Sequence, residues 1–427
     1  MKRLLLPLLA LVSTPVLAQT IAITGGKVVI GDGSAPIDGG TVIVGNGRIV
    51  AAGSNVAIPA GAERIDASGK WVTPGIVAGF SRIGLAGVDA VDDSNDTSAK
   101  SSPFSASLDI ALAVNPDVEA ISVNRAAGVT RAVVSPDASN AIFAGQGAVI
   151  DTGADPSPVT RAKAFQFVQF GESGARRAGG SRPALFAAFR NALAEARDYQ
   201  AGHLREDSLL KRADAAALVP VVTGAQKLIV HAEGAADILA ALSLKREYPA
   251  LALVLVGVTE GWRVAPQIAA SGVPVIASAV NDLPAAFDQI AATQSNVGRM
   301  KAAGVTVAIG MIDDDDTRQA MHGAQYAGNL VALTRVPGAT GLSWNDAFAA
   351  ITSKPAQVIG MGSEIGSLQP GRRGDVVIWD GDPLEVTSGV EAVWIDGVRQ
   401  PIETRQTRLR ARYAHPQEGN LPKAYDR

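Results

Sequence analysis

Apolar and polar positions alternate in two different ways along this chain, and the change from one to the other outlines a fold. Over residues 21–72, short β-branched runs (KVVI at 27–30, TVIV at 41–44, RIVAAG at 48–53) are cut by turn residues. Asn46-Gly47 between two of these runs is a hairpin signal, because a type I′ turn needs positive φ at both central positions. The same grammar returns over residues 375–401, where DVVIW and VEAVWI are followed by Asp380-Gly381 and Asp396-Gly397. Neither end holds enough strands for a stable sheet of its own, so the two ends are expected to complete one β-sandwich. In the middle, continuous apolar runs (KLIVHA at 227–232, LALVLVG at 251–257, VPVIASAV at 273–280, VTVAIGM at 305–311) are separated by amphipathic or alanine-rich stretches. Strands buried on both faces, alternating with helices, mean βα units and a parallel sheet. The stripes Leu185, Phe186, Phe189, Leu193 and Ile238, Leu239, Leu242 predict helices over 183–199 and 235–248.

Such a middle suits a (β/α)8 TIM-like barrel, and the whole reads as α/β: a barrel inserted into a small composite β-sandwich. The expected division is a signal peptide at 1–18, sandwich at 19–73 and 363–403, barrel at 74–362 and a poorly packed C-terminal tail at 404–427. The first segment has a basic start (Lys2, Arg3), a short apolar run and a small-residue exit at Val16-Leu17-Ala18. This implies export and a periplasmic location. No stretch is apolar over the roughly 20 residues of a membrane span.

Composition narrows the chemistry. There is no cysteine, which removes disulfides, thiolate nucleophiles and cysteine-ligated metals, and only His203, His231, His322 and His415 supply imidazole. Lys plus Arg number 38 against 41 Asp plus Glu, without a long basic run, so the electrostatic footprint of a nucleic-acid binder is missing. No G-x-S-x-G elbow occurs, and AGQGA at 144–148 is a glycine signal without a P-loop lysine.

WVTPGIVAGFSR at 71–82 and IGSLQPGRRGDVVIWDGDPLEVTSGVEAVWI at 365–395, together with GGTVIVGNGRIVAAG, LIVHAEGAADILAAL and LSWNDAFAAITSKPAQVIGM between and beside them, resemble the amidohydrolase superfamily, specifically its imidazolonepropionase-like secreted branch. The resemblance implies a metal-assisted hydrolase of C–N bonds other than linear peptide bonds, acting on cyclic amides or dipeptide-like substrates. It also implies a His-x-His pair at the end of the first barrel strand, histidines after strands 5 and 6 and an aspartate after strand 8. At these places the chain carries Phe80 and Arg82, His231, Gly257, and Ile312 followed by Asp313. The usual aspartate before the first pair is Ala78.

Residues just past the strand ends are favoured for function in a barrel. They single out His231 and Asp313 as catalytic residues or as ligands of one divalent, zinc-like ion, with Asp314 or His322 as further ligands. Arg82, Glu233 and Glu260 are the substrate-binding candidates. Each has a structural alternative. Asp313 to Asp316 can be a solvated acidic loop, Arg82 can pair with Asp313 or Glu233, Glu233 can orient the His231 ring or cap the helix that starts near Gly234, and Glu260 can form a rim salt bridge. The aromatic, glycine- and arginine-containing stretch 165–182 reads as a surface insertion or a flap over the mouth. Two functions follow: a hydrolase of small cyclic amides or dipeptide-like molecules with an atypical metal site, or an inactive relative that binds a small-molecule ligand or pairs with an active paralogous subunit. A homo-oligomer is compatible with the alanine-rich helix surfaces.

Overall fold

The computed structural model describes residues 20–88, 91–203, 205–312 and 317–414. The signal-peptide stretch, Asp313 to Asp316 and His415 therefore lie outside the described residues. Five strands open the chain: β1 (Ile21–Val28), β2 (Ile37–Gly45), β3 (Arg48–Gly53), β4 (Glu63–Asp66) and β5 (Trp71–Pro74). Eight more form the middle: β6 (Ile76–Ser81), β7 (Val129–Val134), β8 (Phe143–Asp151), β9 (Val159–Gln169), β10 (Lys227–Ala232), β11 (Ala252–Gly257), β12 (Val275–Ala277) and β13 (Val307–Ile309). Three close the chain: β14 (Val376–Trp379), β15 (Val390–Ile395) and β16 (Val398–Gln400).

The two chain ends share one sheet in the order β16-β15-β14-β5-β1-β2-β3, with β4 also on β1. β14 lies antiparallel to β5, which joins the ends. Asn46-Gly47 and Asp396-Gly397 make the expected two-residue turns, with Asn46 at φ 52° and Asp396 at φ 51°. Asp380-Gly381 does not: β14 and β15 are joined by a longer loop in which the Asp380 carboxylate accepts from the Gly389 amide at 2.6 Å.

The second sheet runs β13-β12-β11-β10-β9-β8-β7-β6 and is an almost closed barrel. Its seam is shut where the Met311 amide donates to the Phe80 carbonyl at 2.9 Å. β6 and β13 approach so closely there that a Cβ on Gly79 would lie 2.4 Å from the Ile309 carbonyl oxygen; only glycine fits. One strand departs from eight like βα units. β8 is antiparallel to both β7 and β9, because short loops rather than helices join it to each neighbour. The stretch 165–182 is accordingly not a flap or an insertion. Its first five residues are the end of β9, with Phe165 and Phe167 buried inside the barrel, and the next form the helix Gly171–Arg177.

Packing divides cleanly between the inside of the barrel and its jacket. Phe80, Phe165, Phe167, Ile229, Val254 and Ile276 fill the interior. Outside, the helix Arg182–Gln200 starts where the Ser181 hydroxyl accepts from the Ala184 amide, with Pro183 in its first turn, and buries Leu185, Phe189, Leu193 and Ala196 at helical spacing. Phe189 stacks on Phe143 with ring centroids 5.8 Å apart. Each such fully buried ring contributes about 1.5–3 kcal/mol. The terminal helix Arg405–Tyr413 is fixed by a capping box between Thr404 and Thr407 and buries no residue.

Arg131 on β7 joins barrel and sheet. Its guanidinium is fully buried and holds Asp375 in a two-point contact at 2.7 and 2.9 Å. It also touches Asp396 at 2.9 Å, Asp151 at 3.4 Å and the Thr160 hydroxyl at 2.8 Å. Burial opposes the charge, but the Asp375, Asp396 and Asp151 carboxylates outweigh it and keep the arginine protonated. Breaking a buried pair leaves an uncompensated charge, at a cost of about 3–5 kcal/mol. Arg131→Met and Asp375→Asn are each expected to lower the unfolding free energy by about that much in urea titrations; a loss under about 1 kcal/mol would mean the joint is not held this way.

Candidate functional site

Residues that alternate inward on β10 are Lys227, Ile229 and His231, so the histidine stands at the C-terminal mouth of the barrel, where this fold gathers chemistry. A register irregularity between Ala78 and Ser81 re-aims β6 and turns Phe80 into the barrel. A cavity of about 270 Å³ results. Phe80, Arg82, Asp137, Phe167, Gln169, Ser173, Arg177, His231, Glu233, Gln289 and Ile312 line it. A second cavity of about 380 Å³ shares Ile312 and is bordered by Asn281, Asp282, Leu283 and Tyr326.

His231 is held from both sides. Its Nε2 bonds the Glu233 Oε1 at 2.6 Å, and its Nδ1 is in contact with the Gln169 side-chain amide. The second Glu233 oxygen accepts from the Thr259 amide at 3.0 Å and from the Thr259 hydroxyl at 2.6 Å. Burial alone would push the imidazole down, but the Glu233 carboxylate outweighs it and raises the ring above its ordinary value of 6.5. Burial would likewise push Glu233 up, but the imidazolium and Thr259 hold it below its ordinary 4.5. Both shifts favour the charged forms, an imidazolium beside a carboxylate. On the other side of the ring the Gln169 Nε2 faces Nδ1 and lies 3.4 Å from the Phe170 carbonyl.

Of the two acids near this strand end, Glu233 takes the ring-orienting alternative rather than helix capping, and Glu260 forms the expected salt bridge and also caps a helix. Glu233 does not cap the following helix; it orients the ring. Glu260 does the capping, its Oε2 accepting from the Ala235 amide at 3.1 Å at the start of the helix Ala235–Glu247. Its other oxygen accepts from Ala291 at 2.9 Å, and Arg263 lies 2.8 Å away. Glu260 is absent from the residues lining either mouth cavity, so the structure places it in the scaffold rather than against a substrate.

Arg82 projects into the first cavity and pairs with Asp137 at 3.1 Å, not with Glu233. Arg177 reaches the same space while donating to the Ala138 carbonyl at 2.6 and 3.1 Å and to Ser173. His322 sits elsewhere, its ring 6.1 Å from that of Tyr326. Gln169 and Asp137 complete the site without having been singled out by position, and Arg177 comes to it from the arginine-containing stretch 165–182. Gln169 was legible in the alternation of FQFVQ, where every second residue shares a face.

These side chains do not fit a divalent ion. Phe80 has no lone pair, Arg82 and Arg177 repel a cation, and both nitrogens of His231 are engaged. Among the described residues no three His, Asp or Glu side chains converge as ligands. Asp313, the expected partner of His231, lies outside the described residues; Ile312 before it lines the same cavity as His231.

Comparison with known proteins fits this frame. A family model described as "Amidohydrolase family" matches residues 262–399, the last barrel strands and the return into the sheet. An amidohydrolase of Hapsidospora irregularis is 25% identical over 396 residues, 80% of this chain and 38% of that protein. The imidazolonepropionase of Maricaulis maris is 31% identical over 125 residues, 29% of this chain and 28% of its own. The chain therefore spans well under two thirds of the curated relatives it matches. The crystal structure of an amidohydrolase from Thermotoga maritima superposes with a TM-score of 0.78 at 24% identity, over 89% of this chain and 99% of that one.

The ion pair carries a pH signature. Stability from protonated His231 is complete below 6.5 and lost as pH rises through the raised value; that from ionised Glu233 is complete above 4.5 and lost as pH falls through the lowered one. The difference in melting temperature between the parent and Glu233→Gln should therefore peak between pH 4.5 and 6.5 and shrink on both sides. A difference that is flat from about pH 4 to about pH 9 would show that the pair is not charged.

Proposed function

Because this chain belongs to the amidohydrolase superfamily of hydrolases, we propose that it keeps the family's barrel mouth as a binding site for a small molecule bearing a carboxylate or similar anion, and that metal-assisted hydrolysis has been given up. One observation supports this above others. Three cations, Arg82, Arg177 and His231, line a single cavity that offers two carboxylates among the described residues, Asp137 and Glu233. Those two are already committed to Arg82 and His231, so among the described residues lining the cavity the cations outnumber the carboxylates by one. Guanidinium groups suit planar anions, and the cavity's walls, Phe80 and Phe167, suit a compact apolar body next to the charge. The basic-then-apolar leader pattern of residues 2–18 adds to the proposal that binding takes place outside the cytoplasm.

A second reading keeps catalysis: a C–N hydrolase of cyclic amides or dipeptide-like molecules on a metal site rebuilt from His231 and Asp313. Its support is that Ile312, the residue before Asp313 in the sequence, lines the same cavity as His231. Metal analysis of protein purified without chelator separates the two. A stoichiometric ion that disappears in His231→Ala favours the hydrolase and calls for turnover assays.

For the binding reading, calorimetric titration with N-acetylglycine and succinate is expected to show saturable binding, while the uncharged N-acetylglycinamide shows none. Arg177→Gln should weaken carboxylate binding by about tenfold or more, the worth of a hydrogen bond to a charged group. Equal affinity for acid and amide, or no change in the variant, would sink this reading.

A further inference from the structure

Gly257 ends β11 beside Ala232 of β10, with φ at 90°. A Cβ built there would lie 2.3 Å from the Glu233 Oε1, 2.7 Å from its Cδ and 2.8 Å from the His231 Nε2. The backbone thus has a notch at this strand end, and the contact between imidazole and carboxylate fills it. Glu233 is almost fully buried in that position and cannot swing toward solvent without abandoning His231 and both Thr259 donors. Asn281 extends the chain of contacts, its amide 3.4 Å from the Thr259 hydroxyl. Every donor atom of the pair is directed inward to another protein group.

We infer that the His231–Glu233 pair is an internal occupant of the barrel mouth, standing where a hydrolase of this fold would hold its ion, and that Gly257 is the residue that makes room for it. The argument is one of chemistry and space. An ion at this strand end needs lone pairs, yet the His231 Nε2 faces Glu233 and its Nδ1 faces Gln169. It needs neighbours that tolerate a dication, yet Arg82 lines the same cavity. It needs a ligand from β11, yet any side chain at Gly257 collides with the pair. These three features lie on or just past different strands, β10, β6 and β11, and agree. The pair supplies one positive and one negative charge in mutual contact, so the mouth is neutral at its base and needs no external ion to be folded. The inference rests on the fold assignment and not on carboxylate binding.

Two measurements on the parent protein test it without any variant. His231 should react with diethyl pyrocarbonate at least about tenfold more slowly than the exposed His203 of the same chain, read by peptide mass spectrometry. After incubation with equimolar zinc and desalting, the protein should retain less than about a tenth of an ion per chain. Two substitutions then probe the cause. Glu233→Ala removes the partner and Gly257→Ala forces it aside, so each should raise His231 modification about tenfold or more while His203 is unchanged. Should His231 of the parent react as fast as His203, or should it take up stoichiometric zinc that His231→Ala loses, the inference is overturned. Carboxylate binding can fail while His231 stays protected, and His231 can prove open while carboxylates still bind, so the two proposals fall separately.

Discussion

The buried guanidinium of Arg131 sets the terms for the rest of the molecule. A fully desolvated cation is tolerable only where several carboxylates reach it, and here they come from separate parts of the chain. Asp151 ends a barrel strand, whereas Asp375 and Asp396, more than 240 residues further on than Arg131, flank strands of the sheet. The constellation is complete only when barrel and sheet are both formed and correctly placed. Asp396 is in turn held by Arg373 at 2.9 Å, and its own amide donates to Asp375 at 3.0 Å, so the acids are also held by partners other than Arg131. This end of the barrel carries the joint, and the opposite end, past the C-terminal ends of the strands, carries the cavity.

Charge is arranged in opposite senses at the two ends. At the joint Arg131 and Arg373 face three acids; among the described residues of the mouth three cations face two. The joint neutralises itself internally, as its distances show. The mouth keeps cationic groups beside an open cavity, and a cavity with low-dielectric walls concentrates the field of such groups toward whatever enters. The segment that matches the family description, residues 262–399, contains the sheet side of the joint but none of the three cations of the mouth. Likeness of frame and likeness of site are therefore separate statements for this chain.

What could be read from the sequence follows from which interactions are local. The hairpins at Asn46-Gly47 and Asp396-Gly397 need only their own backbone conformation, and the apolar runs that became β10 to β13 need only a period. His231 was identifiable because it ends such a run. The antiparallel β8 and the end of β9 were not, since FQFVQ is followed by glycines and arginines that look like a surface insertion, and only the barrel's interior reveals Phe165 and Phe167 as core. The helix cap fell to Glu260 rather than Glu233 because the choice between two acids depends on which amides face them, Thr259 in one case and Ala235 in the other. Arg82 paired with Asp137, 55 residues away, for the same reason. Arg131 was a visible anomaly, an arginine inside VTRAVV, but nothing local says which acids would answer it.

A barrel whose interior is packed by Phe80, Phe165 and Phe167 and whose mouth holds a paired imidazole and carboxylate draws stability from its own side chains. That changes what selection can act on. In a metal-dependent site the ligands are tied to folding and to turnover together, so losing one loses both. Here Phe80 contributes to the core through its contact with Phe167, ring centroids 5.7 Å apart, whatever the cavity binds. The strand ends around it, from Arg82 to Arg177, can then be tuned for recognition without a penalty to the fold. The physical separation between a self-sufficient scaffold and an adjustable cationic mouth is what makes a binding role the more economical account of this chain.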